Sequence, residues 1–227
     1  MAVIHRTTMN PTKTELLAGW LPTQPWYRGG SRAAAPAPVG GFRLDDPEGQ
    51  VGIEFIVATD TSAGEAVTYL LPLTYRGAPL DDAGRALIGT SEHGVLGRRW
   101  IYDGTHDPVL VTRLLALMTG DAVPQAQHES NTPDGSVTGH FAGPGQGPLT
   151  DIVSVTSGSH GTDIVIGTGP TPAEARMHLG IKRVLRPLPD GLPAHGPHPL
   201  GHVTAPWLEA DGTSVRGLFA VADSACS

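Results

Sequence analysis

With 227 residues the chain can bury roughly 70% of its unfolded surface and needs no disulfide or metal staple, while 30 glycines and 21 prolines favour strands and turns over a helical bundle. A formal net charge of −7 without any Lys/Arg-rich run argues against nucleic acid and anionic membranes as partners. The single cysteine, Cys226, excludes an intrachain disulfide and a cysteine-based zinc site; residues 1–13 lack the apolar run of a signal peptide and no stretch approaches the ~20 apolar residues of a membrane span, so the expected location is cytoplasmic.

The first element is a short helix opening near Asn10 or Thr12, with Glu15 in capping-box register and Gly19 and Pro22 closing it. Residues 26–41 read as a turn-rich Ala/Pro loop, and Trp20, Trp26 and Tyr27 as a plug on one sheet edge in preference to a sugar-stacking surface. Strands are expected over 42–44, 51–59, 66–75, 86–91 and 95–102. Val51, Ile53, Phe55 and Val57 alternate as in a sheet with one face largely buried, and the short intervening turns make an antiparallel meander. An Asp103-Gly104 turn joins this meander to the best-signed helix of the chain. Asp107 is its N-cap, Pro108 its first residue, Val109, Leu110, Leu114, Leu117 and Met118 its apolar stripe, and Gly120 its left-handed stop.

Residues 121–150 are polar and glycine-rich and mark a boundary or loop. Beyond them strands are expected at 151–156 and 163–167, a short helix from the capping box Thr171–Glu174 to Gly180, then strands at 181–185, 203–208 and 215–222. The resulting fold class is α+β: a curved antiparallel sheet packed on a long helix, followed by a second β-rich half.

Three groups of residues are candidates for chemistry. Glu92, His93, Tyr102, Asp103, His106 and Asp107 bracket one strand and the following helix start; if they converge at one sheet end, His106 with Asp103 makes an acid/base pair. The competing assignment is structural, with Asp107 capping the helix, Asp103-Gly104 forming the turn and the histidines satisfying backbone groups. His195, His198 and His202 could supply three imidazoles to a metal, but a Pro/Gly-rich loop gives them little to hold them in place, and solvated histidines are the simpler reading. Lys182 is a candidate nucleotide contact, although a cation beside Arg183 and Arg186 also describes a solvated strand face. No cofactor is expected.

The motif Pro72-Leu73-Thr74-Tyr75-Arg76-Gly77-Ala78-Pro79-Leu80, and the run from Leu87-Ile88-Gly89 to Trp100-Ile101-Tyr102-Asp103-Gly104 with Asp107-Pro108, resemble the N-terminal cap of actinobacterial maltokinases and related aminosugar kinases. The resemblance covers residues 1–120 and implies a cystatin-like cap: a curved sheet wrapped on a helix, seated in that family on a kinase N-lobe. Residues 181–187 are similar to the N-lobe strand that carries a nucleotide-contacting lysine, which here is Lys182. The resemblance thus divides the chain into a cap-like domain (1–120), a Gly/Pro-rich connection (121–150) and a β-rich second half (151–227) resembling a kinase N-lobe remnant.

Phosphoryl transfer in that superfamily requires a catalytic His-Gly-Asp loop and a later acidic metal ligand. Nothing after Lys182 supplies them, and His160-Gly161-Thr162-Asp163 carries an inserted residue and precedes the supposed nucleotide strand. The expectation is a stand-alone, non-catalytic cap-like protein that binds a protein partner or modulates an enzyme in glycogen and trehalose (maltose-1-phosphate) metabolism. Its expected partner surfaces are the exposed sheet face and the Arg98/Arg99 strand. Two alternatives stay open: a small sugar- or glucan-binding protein or enzyme built on the 102–107 cluster, and a homodimeric assembly module.

Overall fold

The computed structural model describes residues 8–30, 32–143, 151–167, 176–188 and 199–224. Two antiparallel sheets form the framework. The first is a curled half-barrel built from β1 (Met9–Asn10), β2 (Ala37–Leu44), β3 (Gly52–Asp60), β4 (Val67–Arg76), β5 (Leu87–His93), β6 (Gly97–Asp103) and β7 (Gln125–Ala126), in the order β1-β5-β6-β4-β3-β2-β7. It departs from a plain meander, because β6 pairs directly with β4 and β5 lies outside it. The connection 77–86 is long enough for this crossing and is anchored by Leu80, Ala83 and Ala86 against Trp100 and Tyr102.

Strand β2 begins at Ala37, inside the stretch expected to be loop. A bulge at Val39 and a positive φ of 137° at Gly41 accommodate the strand. A Cβ on Gly41 would lie 2.2 Å from the Phe55 carbonyl oxygen, so only glycine fits that close backbone approach.

The expectation of one buried sheet face is corrected: β3 is buried on both. Ile53, Phe55 and Val57 point to one core, while Ile56 and Ala58 point to another formed with Leu17, Leu21, Trp26, Tyr69, Leu71 and Ile101. Helix α1 (Lys13–Trp20) supplies the cover on that second side. Its capping box has the Thr12 N–H donating to Glu15 Oε2 at 2.7 Å and the Glu15 N–H donating to Thr12 Oγ1 at 3.3 Å. Trp26 packs edge-on to Trp20 and against Tyr69 inside that second core, so the aromatics expected to plug a sheet edge cover a sheet face.

Helix α2 (Pro108–Thr119) starts and stops where its caps dictate, with the Val109 N–H donating to Asp107 and Gly120 left-handed at φ 86°. It is twelve residues, about three turns, so the long helix expected from the sequence is corrected to an ordinary one. Leu110, Val111, Leu114, Leu117 and Met118 nevertheless lie in the largest core cluster, in contact with both sheets.

The second sheet comprises β8 (Thr138–Phe141), β9 (Asp151–Gly158), β10 (Gly161–Gly167), β11 (Arg176–Ile181), β12 (Gly201–Leu208) and β13 (Ser214–Ser224), ordered β8-β12-β13-β11-β10-β9. Strand β11 replaces the second half of the helix expected to end at Gly180, and residues 171–174 lie outside the described residues. Met177, Leu179 and Ile181 alternate with period two and are buried between β10 and β13, so sheet pairing sets the conformation of 176–181.

The glycine-rich stretch after α2 contains two strands, β7 on β2 and β8 on β12. After β11 the chain crosses to the first sheet: Leu70 N–H donates to Arg183 O at 2.9 Å and Leu185 N–H to Thr68 O at 2.8 Å. Those bonds satisfy the part of β4 that β6 does not reach, and they set the position of Arg183. Among the described residues, no helix is long and apolar enough to cross a membrane.

Candidate functional site

The densest charge arrangement is at the C-terminal end of β6. Asp103 and Arg183 are both buried, and Arg183 Nη2 donates to Asp103 Oδ1 and Oδ2 at 2.7 and 2.5 Å. Arg183 Nε donates to Thr162 Oγ1 at 2.8 Å, Nη2 also reaches Thr105 Oγ1 at 3.1 Å, and the guanidinium lies 5.0 Å from the Trp26 ring centroid. One side chain thereby joins β6, β10 and the aromatic plug. Asp103 also accepts from the Thr105 N–H at 3.2 Å and the Thr105 hydroxyl at 2.8 Å, closing the turn ahead of α2.

Asp107 is fully buried and used twice over. Its Oδ1 accepts from the Val109 N–H at 3.0 Å, and its two oxygens take a paired contact from Arg76 Nε and Nη2 at 2.7 Å each. That contact draws the Arg76 proton affinity still higher, the Asp107 hydrogen bond contributing most. Tyr102 Oη accepts from the Leu80 N–H at 2.9 Å and so anchors the 77–86 connection.

His106 is half-buried beside these groups, and no hydrogen bond joins it to Asp103 among the described residues. Burial lowers its proton affinity below the ordinary histidine value; the Asp103 charge pulls the other way and the Arg183 charge reinforces burial. Asp103, already engaged by Arg183 and Thr105, offers His106 no free carboxylate for acid/base work.

Glu92 and His93 do not join this cluster. The register pairs them with Arg98 and Gly97 at the start of β6, whereas Asp103 ends it, about 17 Å away at 3.4 Å per residue. Glu92 there accepts from Arg98 Nε at 2.7 Å, and His93 Nδ1 accepts from the N–H groups of Val95 and Leu96, capping the hairpin. The structure therefore places His106 near Asp103 and Arg183, sets Tyr102 and Asp107 about Arg76, and leaves Glu92 and His93 apart.

Lys182 is exposed with its N–H bonded to Phe219 O, while its neighbour Arg183 is wholly buried, so the solvated-face reading fails for Arg183. His195 and His198 lie outside the described residues. His202 is on β12, with its ring 5.3 Å from that of His140 on β8. No group of three His, Cys, Asp or Glu side chains suited to a metal occurs among the described residues.

Two features escaped the sequence reading. Glu54, buried within the apolar strand β3, accepts from Lys13 Nζ at 2.9 Å on both oxygens, from Tyr75 Oη at 2.6 Å and from Gln127 Nε2 at 3.1 Å. Burial would raise its pKa, but the Lys13 charge and these bonds outweigh it and hold the carboxyl below its usual range. A lone acid in an apolar strand was a readable sign that a cation must meet it. The second is a groove of about 520 Å³ between β2 and β12, lined by Gly41, Gln127, Glu129, Asp134, Trp207 and Ser214 among others. It arises from strands distant in sequence and had no local signature.

The half-barrel, its crossing 77–86 connection and the turn into α2 all lie within or beside the span that a known family matches. Residues 20–107 match the maltokinase N-terminal cap domain. This cap match spans β2 to β6, the Trp26 plug and the Asp107 cap, covers less than half of the chain, and stops before α2. Arg183, which holds Asp103 of the matched span, comes from outside it. No curated protein matches the chain.

Proposed function

We propose that this chain is a non-catalytic cap-type module that binds a protein partner and modulates an enzyme in maltose-1-phosphate, glycogen or trehalose metabolism. The observation carrying the non-catalytic part is the engagement of Asp103 and Asp107: each carboxylate is buried, held by an arginine and used to build a turn or cap. The pathway comes from the cap match alone.

For the docking surface the reading is the β5–β6 hairpin. Both faces of β3 are covered, whereas the hairpin tip carries Val95 and Leu96, two of the six large apolar side chains exposed among the described residues. The exposed Glu92–Arg98 pair flanks its tip. Apolar residues concentrated on one projection and rimmed by charge are typical of a contact patch.

A phosphoryl-transfer assay tests this reading. The purified chain with Mg-ATP and maltose, longer glucans or aminosugars is expected to form no sugar phosphate above buffer. Turnover that copurifies with the chain and disappears in His106→Ala would overturn it.

Sugar binding at a place other than the 102–107 cluster has one observation in its favour, the groove between β2 and β12, whose lining includes the polar residues Gln127, Glu129 and Ser214. A selective rise in melting temperature with glucans, abolished by Gln127→Ala, would support it.

A further inference from the structure

We propose that His140 and His202 form a two-imidazole site for a divalent transition ion of the zinc, nickel or copper class on the outer face of the second sheet. The two residues are direct partners in the β8–β12 ladder, so their side chains leave the sheet on the same face. Val203, the next residue of β12, points the other way into the core.

The ring spacing is what an ion requires. A zinc–imidazole bond is about 2.0–2.1 Å, and a ring centroid lies about 1.2 Å behind its nitrogen; two such rings at a tetrahedral angle therefore have centroids about 5.2 Å apart. The observed separation is 5.3 Å, with the planes inclined at 42°. Imidazole is the ligand this class of ions prefers.

The strands that carry the rings are fixed. A Cβ on Gly139 would fall 2.1 Å from Leu117 O, so β8 lies directly against α2, and the hydroxyls of Thr138 and Thr204 are 2.8 Å apart two positions along the ladder. A preset pair on two rigid strands binds without ordering a loop, which distinguishes it from a pair of surface histidines on flexible chain. With two protein donors, the remaining positions on the ion fall to water or to a donor from another molecule.

The site stands apart from the cap reading, since both histidines lie outside residues 20–107. The test is titration of the full chain with zinc chloride, followed by calorimetry and by the histidine ring resonances. The His140 and His202 signals are expected to move first and together. His140→Ala and His202→Ala should each weaken binding at least tenfold, with His178→Ala, also on the second sheet, unchanged. His202→Gln replaces His202→Ala if the half-buried position does not tolerate alanine, with folding checked by circular dichroism. Absence of zinc binding, binding with wild-type affinity in either folded variant, or first movement of other histidines would overturn the proposal.

Discussion

Replacing Arg183 with methionine is the sharpest probe of how the two sheets are held together. The change keeps an unbranched side chain against Trp26 but removes the charge that faces Asp103, leaving a carboxylate only 4% exposed with just the Thr105 N–H and hydroxyl as partners. Removing one member of a buried pair costs about 3–5 kcal/mol, because the survivor stays desolvated without compensation. Asp103→Asn with Arg183→Met removes both charges while an amide oxygen can still accept from Thr105. That double variant is expected within about 1.5 kcal/mol of wild type, since a buried pair roughly breaks even against neutral packing. Urea unfolding at pH 7, read by tryptophan fluorescence, gives the comparison: with a slope of about 2–3 kcal/mol/M, the single variant should lose about 1–2 M in midpoint. The buried pair is poorly screened, so the gap should persist in 0.5 M salt. A single variant that loses less than about 1 kcal/mol, or a double variant as unstable as the single, would refute the assignment of Arg183 as the joining residue.

Other consequences are more local. Asp107→Ala removes a helix cap and strands Arg76, and is expected to destabilise by about 2–4 kcal/mol; Asp107→Asn, which keeps a cap acceptor, should lose less in the same urea series. Glu54 has a folded-state pKa below its ordinary 4.5, so the unfolded chain takes up this proton first, and the stability Glu54 contributes is complete above about pH 4.5 and lost as pH falls through the folded value. The stability difference between wild type and Glu54→Gln should therefore be full at pH 7 and shrink in melts run toward pH 3. Gly139→Ala places a methyl against the Leu117 carbonyl and should cost about 2 kcal/mol or more, whereas Gly19→Ala meets nothing within 4 Å in α1 and should stabilise by about 0.5–1 kcal/mol, both read as shifts in melting temperature.

What the sequence revealed was whatever local chemistry controls. Thr12 and Glu15, Asp107 with Pro108, and Gly120 fixed helix ends because capping is settled within a few residues. The period-two alternation of β3 was equally plain, but it could not tell which chain segment would cover the second face; that required α1 and Trp26 from elsewhere in the chain. The capping box at Thr171 pointed to a helix through Gly180, and from Arg176 onward the chain is β11, since Met177, Leu179 and Ile181 gain more by pairing between two strands than by lying in a helix.

The candidate cluster was half legible for the same reason. Tyr102, Asp103, His106 and Asp107 are neighbours in sequence and stay at one end of β6, though divided between Arg183 and Arg76, while the antiparallel register sends Glu92 and His93 to the far end of the hairpin. Arg183 had no local mark at all. An arginine beside Lys182 reads as solvated, and only the crossing of residues 183–185 onto β4 brings it to Asp103.

The most direct test of the central claim is the maltose-dependent ATP consumption of a maltokinase, measured with and without this chain and again with Val95→Asp/Leu96→Asp, which places charge at the exposed hairpin tip. The account predicts a saturable change in the kinase rate with the wild-type chain, no change with the folded double variant, and no ATP consumption by the chain alone. An unchanged kinase rate at saturating chain, or maltose phosphorylation by the chain in the absence of the kinase, would contradict it.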